Sequence, residues 1–372
     1  MKSFTPLLLT VAVTIGVLGV TGLMTSGSDG GAQGYTEPRV ALHWEDAGEG
    51  RVRCTLCPRE CVVSPGARGH CGVRENRGGT YYTLSYGNPC AVHVDPIEKK
   101  PFYHFLPTTS SFSIAVAGCN LDCKFCQNWH ISQRRPEETY NYRLPPEELI
   151  DLAVQSGSES IAYTYSEPTV FFEYMLDCAR EARRRGMRNV YHSNGFINEA
   201  PLRELCPYLD AANVDLKGFT EEYYSGMTGG SLGPVLRSLR ILTEEGVHLE
   251  LTTLVVPGRN DDPDELRAMC RWIVENLGDS VPLHLSRFHP QYQLHGLPPT
   301  PLVTLELARR IAVEEGLRFV YVGNVPGHGA NSTRCPSCGE LLIHRVGYAV
   351  EVRGLDAGAC TACGEVIEGV WE

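Results

Sequence analysis

The chain has 372 residues, a formal net charge of -11 and 42% hydrophobic residues, enough for a full core and one or two small modules. No block of Lys or Arg reaches the density of a nucleic-acid footprint, so no nucleic-acid partner is expected. Eleven of the fifteen cysteines fall into three tight groups, which points to metals in a reducing compartment rather than to disulfides.

Ser3 to Ser28 carries no charge, and Phe4 to Met24 is mostly apolar, long enough to span a bilayer as a helix. A signal peptide competes, but the run is long for its apolar region and no A-x-A site follows. The expectation is a transmembrane anchor or signal-like segment at 1–28, followed by a linker at 29–50. A Cys-rich module at 51–106 comes next. It holds Cys54-x2-Cys57-Pro-Arg-x-Cys61 and then Cys71 in a glycine-rich, loop-built knuckle. Four thiolates this close could surround zinc or hold an iron–sulfur cluster. The run Asp95-Pro-Ile-Glu-Lys-Lys-Pro101 that follows reads either as a dock for the knuckle or as a solvated connector.

From 107 to 330 the chain alternates strand and helix. Strands are expected at Ser113–Ala117, Ser160–Tyr165, Asn189–His192, Ala212–Leu216, His248–Val256, Leu283–Ser286 and Phe319–Val322. Helices are expected at Pro146–Val154, Val170–Arg185, Pro201–Leu205, Pro234–Glu245, Pro263–Leu277 and Leu302–Glu315. Such alternation means parallel β with crossover helices, hence α/β. Periodicity does not choose between an open sheet and a barrel. No G-x-G-x-x-G follows the first strand, which counts against a dinucleotide fold. The tail, 331–372, carries Cys335-x2-Cys338-Gly and Cys360-x2-Cys363-Gly. Two such knuckles read as a zinc-ribbon-like module closed by four thiolates.

Ligands gather at the C-terminal ends of parallel strands. The first strand ends at Cys119-x3-Cys123-x2-Cys126, three thiolates where a cubane cluster takes four. One iron would stay open, as in a catalytic rather than a structural metal site. Later strands end at Glu167, at Ser193-Asn194, at Asp215 and Lys217, and at His289. Glu167 suits an ammonium group and Lys217 a carboxylate. No Ser-His-Asp set or H-E-x-x-H motif supports a hydrolase.

The triad loop, Tyr163-Thr-Tyr-Ser-Glu-Pro168, Ser193-Asn-Gly195, Val214-Asp-Leu-Lys217, Leu254-Val-Val-Pro-Gly258 and Phe288-His-Pro290 resemble the successive motifs of radical S-adenosylmethionine (SAM) activases, the group of pyruvate formate-lyase activating enzyme. With the N-terminal knuckle, the D-P-I-E-K-K-P run, Cys126-Gln-Asn-Trp129, Gly323-Asn-Val-Pro-Gly327 and the C-terminal knuckles, the pattern is similar to the radical SAM member of the AmmeMemoRadiSam system over roughly residues 50 to 370.

The resemblance implies a partial (β/α)6 TIM-like barrel with a 4Fe-4S cluster on Cys119, Cys123 and Cys126. SAM would be bound by Glu167, Ser193, Asn194, Asp215, Lys217 and His289. Tyr165 and Ser166 stand where the family has glycines, and His192 stands where the activases have an acid, so that contact is not carried over. The implied activity is reductive SAM cleavage to a 5′-deoxyadenosyl radical that takes hydrogen from an unidentified protein or peptide substrate. Implied partners are a flavodoxin or ferredoxin as electron donor and other proteins of the AmmeMemoRadiSam system. These needs place the catalytic part on the cytoplasmic side. Two alternatives stand beside it, a glycyl-radical-enzyme activase and a membrane-tethered iron–sulfur electron carrier.

Overall fold

The computed structural model describes residues 31–372. An eight-stranded sheet forms its centre: β1 (Ala91–Pro96), β2 (Ser110–Ala115), β3 (Ser160–Tyr163), β4 (Arg188–Ser193), β5 (Ala211–Asp215), β6 (His248–Val255), β7 (Leu283–Arg287) and β8 (Val320–Gly323). Spatial order follows chain order. β1 is antiparallel to β2, and each later neighbouring pair is parallel. Helices α1 (Pro146–Gln155), α2 (Phe172–Arg184), α3 (Glu199–Leu205), α4 (Leu232–Glu244), α5 (Pro263–Leu277) and α6 (Leu302–Glu314) precede β3 to β8 in turn.

The local causes are visible in the residues. β3 is buried along its whole length, the pattern of a parallel strand covered on both faces. α5 starts with Pro263, and the Asp262 side chain accepts the N–H groups of Asp264 and Glu265 at 3.0 and 3.1 Å, satisfying two of the orphan donors of its first turn.

Three expectations change. The parallel run β2 to β8 has one strand more than a (β/α)6 unit, and the sheet is open, with β1 and β8 as its edges. Residues 31–50, expected as linker, instead carry short strands. Ala32–Gln33 pairs with Tyr140–Asn141, Arg39–Val40 with Tyr82–Thr83, and Trp44–Asp46 with Val52–Cys54. Composition missed them because each is only two or three residues long, and the first two are held by partners distant in sequence. The Asp95–Pro101 run is not a solvated connector, since Asp95 lies in β1 and accepts Lys99 and Lys100 at 2.7 and 2.5 Å. Among the described residues no helix is long and apolar enough to cross a membrane; the anchor expected at Phe4 to Met24 lies outside them.

The N-terminal module has little core of its own. Its Val52, Leu56, Val63, Val73 and Tyr81 join the main hydrophobic cluster. The C-terminal module packs a smaller cluster of Leu342, Ile343 and Ile367 against Phe319 and Tyr321. Between these modules Glu250, fully buried near the start of β6, acts as a latch. It accepts the backbone N–H groups of Tyr103 and His104, at 2.9 and 2.8 Å, and bonds His284 Nε2 at 2.6 Å. Burial alone would raise this carboxyl, but His248 and His284 hold it well below the usual range.

Its native pKa is depressed, so its stabilisation is present above the unfolded-chain value of 4.5 and is lost as pH falls toward the native value. Replacing Glu250 by Ala is expected to cost about 3–5 kcal/mol at neutral pH and to flatten the acid limb of stability. Urea midpoints of the two proteins across pH 3 to 7 (roughly the carboxylate titration range) would check this. An unchanged midpoint would remove the latch.

Candidate active site

The loop after β2 turns at Gly118, with φ of +100°. A Cβ there would lie 2.5 Å from Val73 Cγ1 and 2.8 Å from the Cys71 carbonyl oxygen, so glycine is required by both conformation and space. Beyond it Cys119, Cys123 and Cys126 line a cavity of about 560 Å³. Backbone and side chains hold their loop. Asp122 and Lys124 donate N–H to the Thr228 and Met227 carbonyls at 2.8 and 3.0 Å. Asn120 donates to the Phe196 carbonyl at 2.7 Å, and Arg59 Nε donates to the Asn120 carbonyl at 2.8 Å. The Asp122 carboxylate meets His70 at 3.0 Å and Arg59 at 3.3 Å, and the His70 hydrogen bond leads in holding it below its usual pKa.

The same cavity is lined by Glu167, Ser193, Asn194, Asp215 and Lys217. Glu167, 2% exposed, accepts Thr169 N–H at 3.0 Å, Thr169 Oγ1 at 2.7 Å and Ser193 Oγ at 2.7 Å on one oxygen. Its other oxygen accepts the Asn194 N–H at 2.9 Å. Burial nevertheless raises its pKa. Asn194 also reaches Asn120 at 2.9 Å and Cys119 Sγ at 3.8 Å. Lys217 Nζ donates to Asp215 at 2.8 Å, and His192 Nε2 lies 3.3 Å from the same carboxylate. Burial would raise Asp215, but Lys217 and then His192 pull it well below the carboxylate range.

His289 is exposed beyond the end of β7 and is not part of the cavity lining. Several residues not singled out above do line it, including Lys100, Tyr165, His192 and Asn324. His192 Nδ1 is buried without a partner, and its strand-end position was the available signal. Tyr165 adopts φ of +63°, a conformation that a bulky residue takes only when its surroundings compel it. Its carbonyl accepts Asn128 at 2.8 Å, its hydroxyl donates to Asp95, and Lys100 Nζ donates to that hydroxyl at 2.9 Å. The tyrosine therefore keeps a backbone shape usually left to glycine.

Two kinds of cysteine geometry are present. In the tail, Cys335 and Cys363 sulfurs are 3.6 Å apart and those of Cys338 and Cys360 are 3.7 Å apart. Thiolates at the corners of a tetrahedral ion, with bonds of about 2.3 Å, sit at about that separation. The triad is more widely spread: no three of its ligand atoms fall within the 4.8 Å that defines the tail group among the described residues. A cubane, in which each thiolate binds a different iron, calls for such a wider set.

A model of the radical SAM superfamily matches residues 113–273. The chain is 44% identical over 332 residues to the uncharacterized protein MJ0808 of Methanocaldococcus jannaschii, covering 89% of this chain and 99% of that one. It is 21% identical over 224 residues to the pyruvate formate-lyase 1-activating enzyme of Escherichia coli, covering 55% of this chain and 89% of that one. A radical SAM methyltransferase structure from Sphaerobacter thermophilus aligns with a TM-score of 0.47 at 17% identity, covering 64% of this chain and 71% of that one. The chain therefore belongs to one family with MJ0808 and carries a radical SAM domain at residues 113–273.

Proposed function

We propose that this chain is an activase-like radical SAM enzyme of the oxidoreductase type, with a 4Fe-4S cluster on Cys119, Cys123 and Cys126. One observation carries the reading: those three thiols and Glu167, Asn194, Asp215 and Lys217 face one cavity of about 560 Å³. When bound, the cluster and SAM supply one-electron cleavage to methionine and a 5′-deoxyadenosyl radical that takes hydrogen from the substrate.

The chain's own residues bind, orient and exclude water. Lys217, kept charged by Asp215, meets the SAM carboxylate. Glu167 retains capacity on the oxygen that accepts only Asn194 and meets the amino group. Ser193 and Asn194 fix the floor beneath them, with Asn194 also donating to Cys119. The parallel run from β2 to β8, unclosed at its edges, fits a partial and not a closed barrel around this lumen. The electron donor is of the flavodoxin or ferredoxin class. The substrate class we infer is a protein or peptide handled within an AmmeMemoRadiSam-type system. Similarity to the pyruvate formate-lyase activating enzyme supports a second reading, activation of a glycyl-radical enzyme. The tail cysteines hold zinc, and Cys54, Cys57, Cys61 and Cys71 hold a further metal centre.

Reduced, iron- and sulfide-loaded protein is expected to convert SAM to methionine and 5′-deoxyadenosine, and Cys123→Ala to abolish this. Equal product from that variant, or none from the wild type, would sink the enzyme reading and favour an electron carrier. Lys217→Met should raise the KM for SAM by about 10- to 100-fold, as expected for losing a charged hydrogen bond. Metal analysis should find about one zinc per chain, lost in Cys338→Ser. Deuterium carried from candidate substrates into 5′-deoxyadenosine separates the peptide reading from the glycyl-radical one.

A further inference from the structure

The N-terminal cysteines form one site, yet not a closed tetrahedron. Cys54 donates its N–H to the Cys61 carbonyl at 2.9 Å, and the His70 N–H donates to Cys61 Sγ at 3.5 Å. Cys54 and Cys57 are buried, and Cys61 and Cys71 are partly buried. Even so, among the described residues no three of these sulfurs lie within 4.8 Å of one another, whereas the tail sulfurs do. A single ion with bonds of about 2.3 Å calls for sulfurs that converge as the tail set does.

Two buried donors beside them lack a partner. Arg74, 1% exposed, leaves Nε unpaired although its other nitrogens bind the Leu42 carbonyl at 3.0 Å and Glu173 at 2.5 Å. Tyr81, 0% exposed, leaves its hydroxyl unpaired. The Tyr81 hydroxyl and Cys61 Sγ lie 2.6 and 3.8 Å from the point where Gly69 would carry a Cβ. An unmet buried donor costs about 1–3 kcal/mol. Bridging sulfides would give such donors acceptors and would also fill the space between separated thiolates.

We propose that Cys54, Cys57, Cys61 and Cys71 hold an iron–sulfur cluster, that Arg74 and Tyr81 donate hydrogen bonds to its sulfurs, and that this site relays single electrons to the Cys119, Cys123, Cys126 centre. The relay rests on the radical SAM reading above; the cluster does not. One electron from a flavodoxin- or ferredoxin-class donor reduces the site by one equivalent and leaves it toward the triad. No bond is made or broken. The path is short because the Cys71 carbonyl packs against Gly118, next to Cys119, while Arg59 and His70 clasp Asp122.

The test uses the full chain loaded anaerobically with iron and sulfide. The triple variant Cys119→Ala, Cys123→Ala, Cys126→Ala should keep about two to four irons with matching sulfide. Its reduced electron paramagnetic resonance signal should be indifferent to SAM. Tyr81→Phe should keep the iron but shift the midpoint potential of that signal. The reciprocal variant Cys54→Ser, Cys57→Ser should lose this iron and keep a signal that responds to SAM. Zinc in place of iron in the triple variant, or unchanged iron in the reciprocal one, would overturn the cluster. An unmoved potential in Tyr81→Phe would overturn the donor assignment. If the triple variant keeps its iron while no wild-type signal responds to SAM, the cluster stands and the radical SAM reading fails.

Discussion

The rim of the sheet depends on one buried carboxylate. Glu167 leaves β3 and accepts from Thr169, Ser193 and Asn194, so the ends of β3 and β4 are tied through a single group. Asn194, placed by that bond, reaches across to Asn120 and Cys119. A charge in this position is costly unless several donors meet it. Burial still raises its pKa, which marks how finely solvation and hydrogen bonding are balanced there.

A second constraint comes from below. The charged run Asp95 to Lys100 folds inward and ends up supporting the rim from the β1 side. Asp95 and Lys100 grip the Tyr165 hydroxyl, Asn128 grips its carbonyl, and the residue is held at positive φ. Glycine would reach this shape without help. Tyrosine needs three partners, and it gains a polar wall for the cavity in exchange. Farther down, Glu250 ties Tyr103 and His104 to β6 and β7, anchoring the segment that brings those lysines into place.

The three cysteine groups share a ligand and differ in geometry. The tail sulfurs converge at tetrahedral spacing. The triad and the N-terminal set are spread wider, and each is bordered by donors, Asn194 for the first and the unpaired Arg74 and Tyr81 groups for the second. Cysteine spacing along the chain separates these groups from one another, but it does not say how far apart the sulfurs stand in space. Only packing does that, because the loops between the cysteines are aimed by their contacts with other elements.

Much of the site was legible in residues alone. Strand-end positions mark Cys119, Glu167, Ser193, Asn194, Asp215 and Lys217, because in parallel sheets each strand's C-terminal end faces the same rim. Alternating apolar runs mark seven of the eight strands of the large sheet for the same local reason. His289 misled, since its strand-end position resembles the others but its side chain is exposed outside the cavity lining. Residues 31–50 and β1 also escaped notice, because strands this short or polar show little local pattern and form through their pairing partners. The sequence by itself determined which chemistry is available, three thiols one short of a closed set beside an acid and a lysine. Tertiary structure decided which groups share a cavity, which cysteines converge on a point, and which buried donors are left without a partner. Those outcomes depend on contacts between residues far apart in the chain, and no local pattern encodes them.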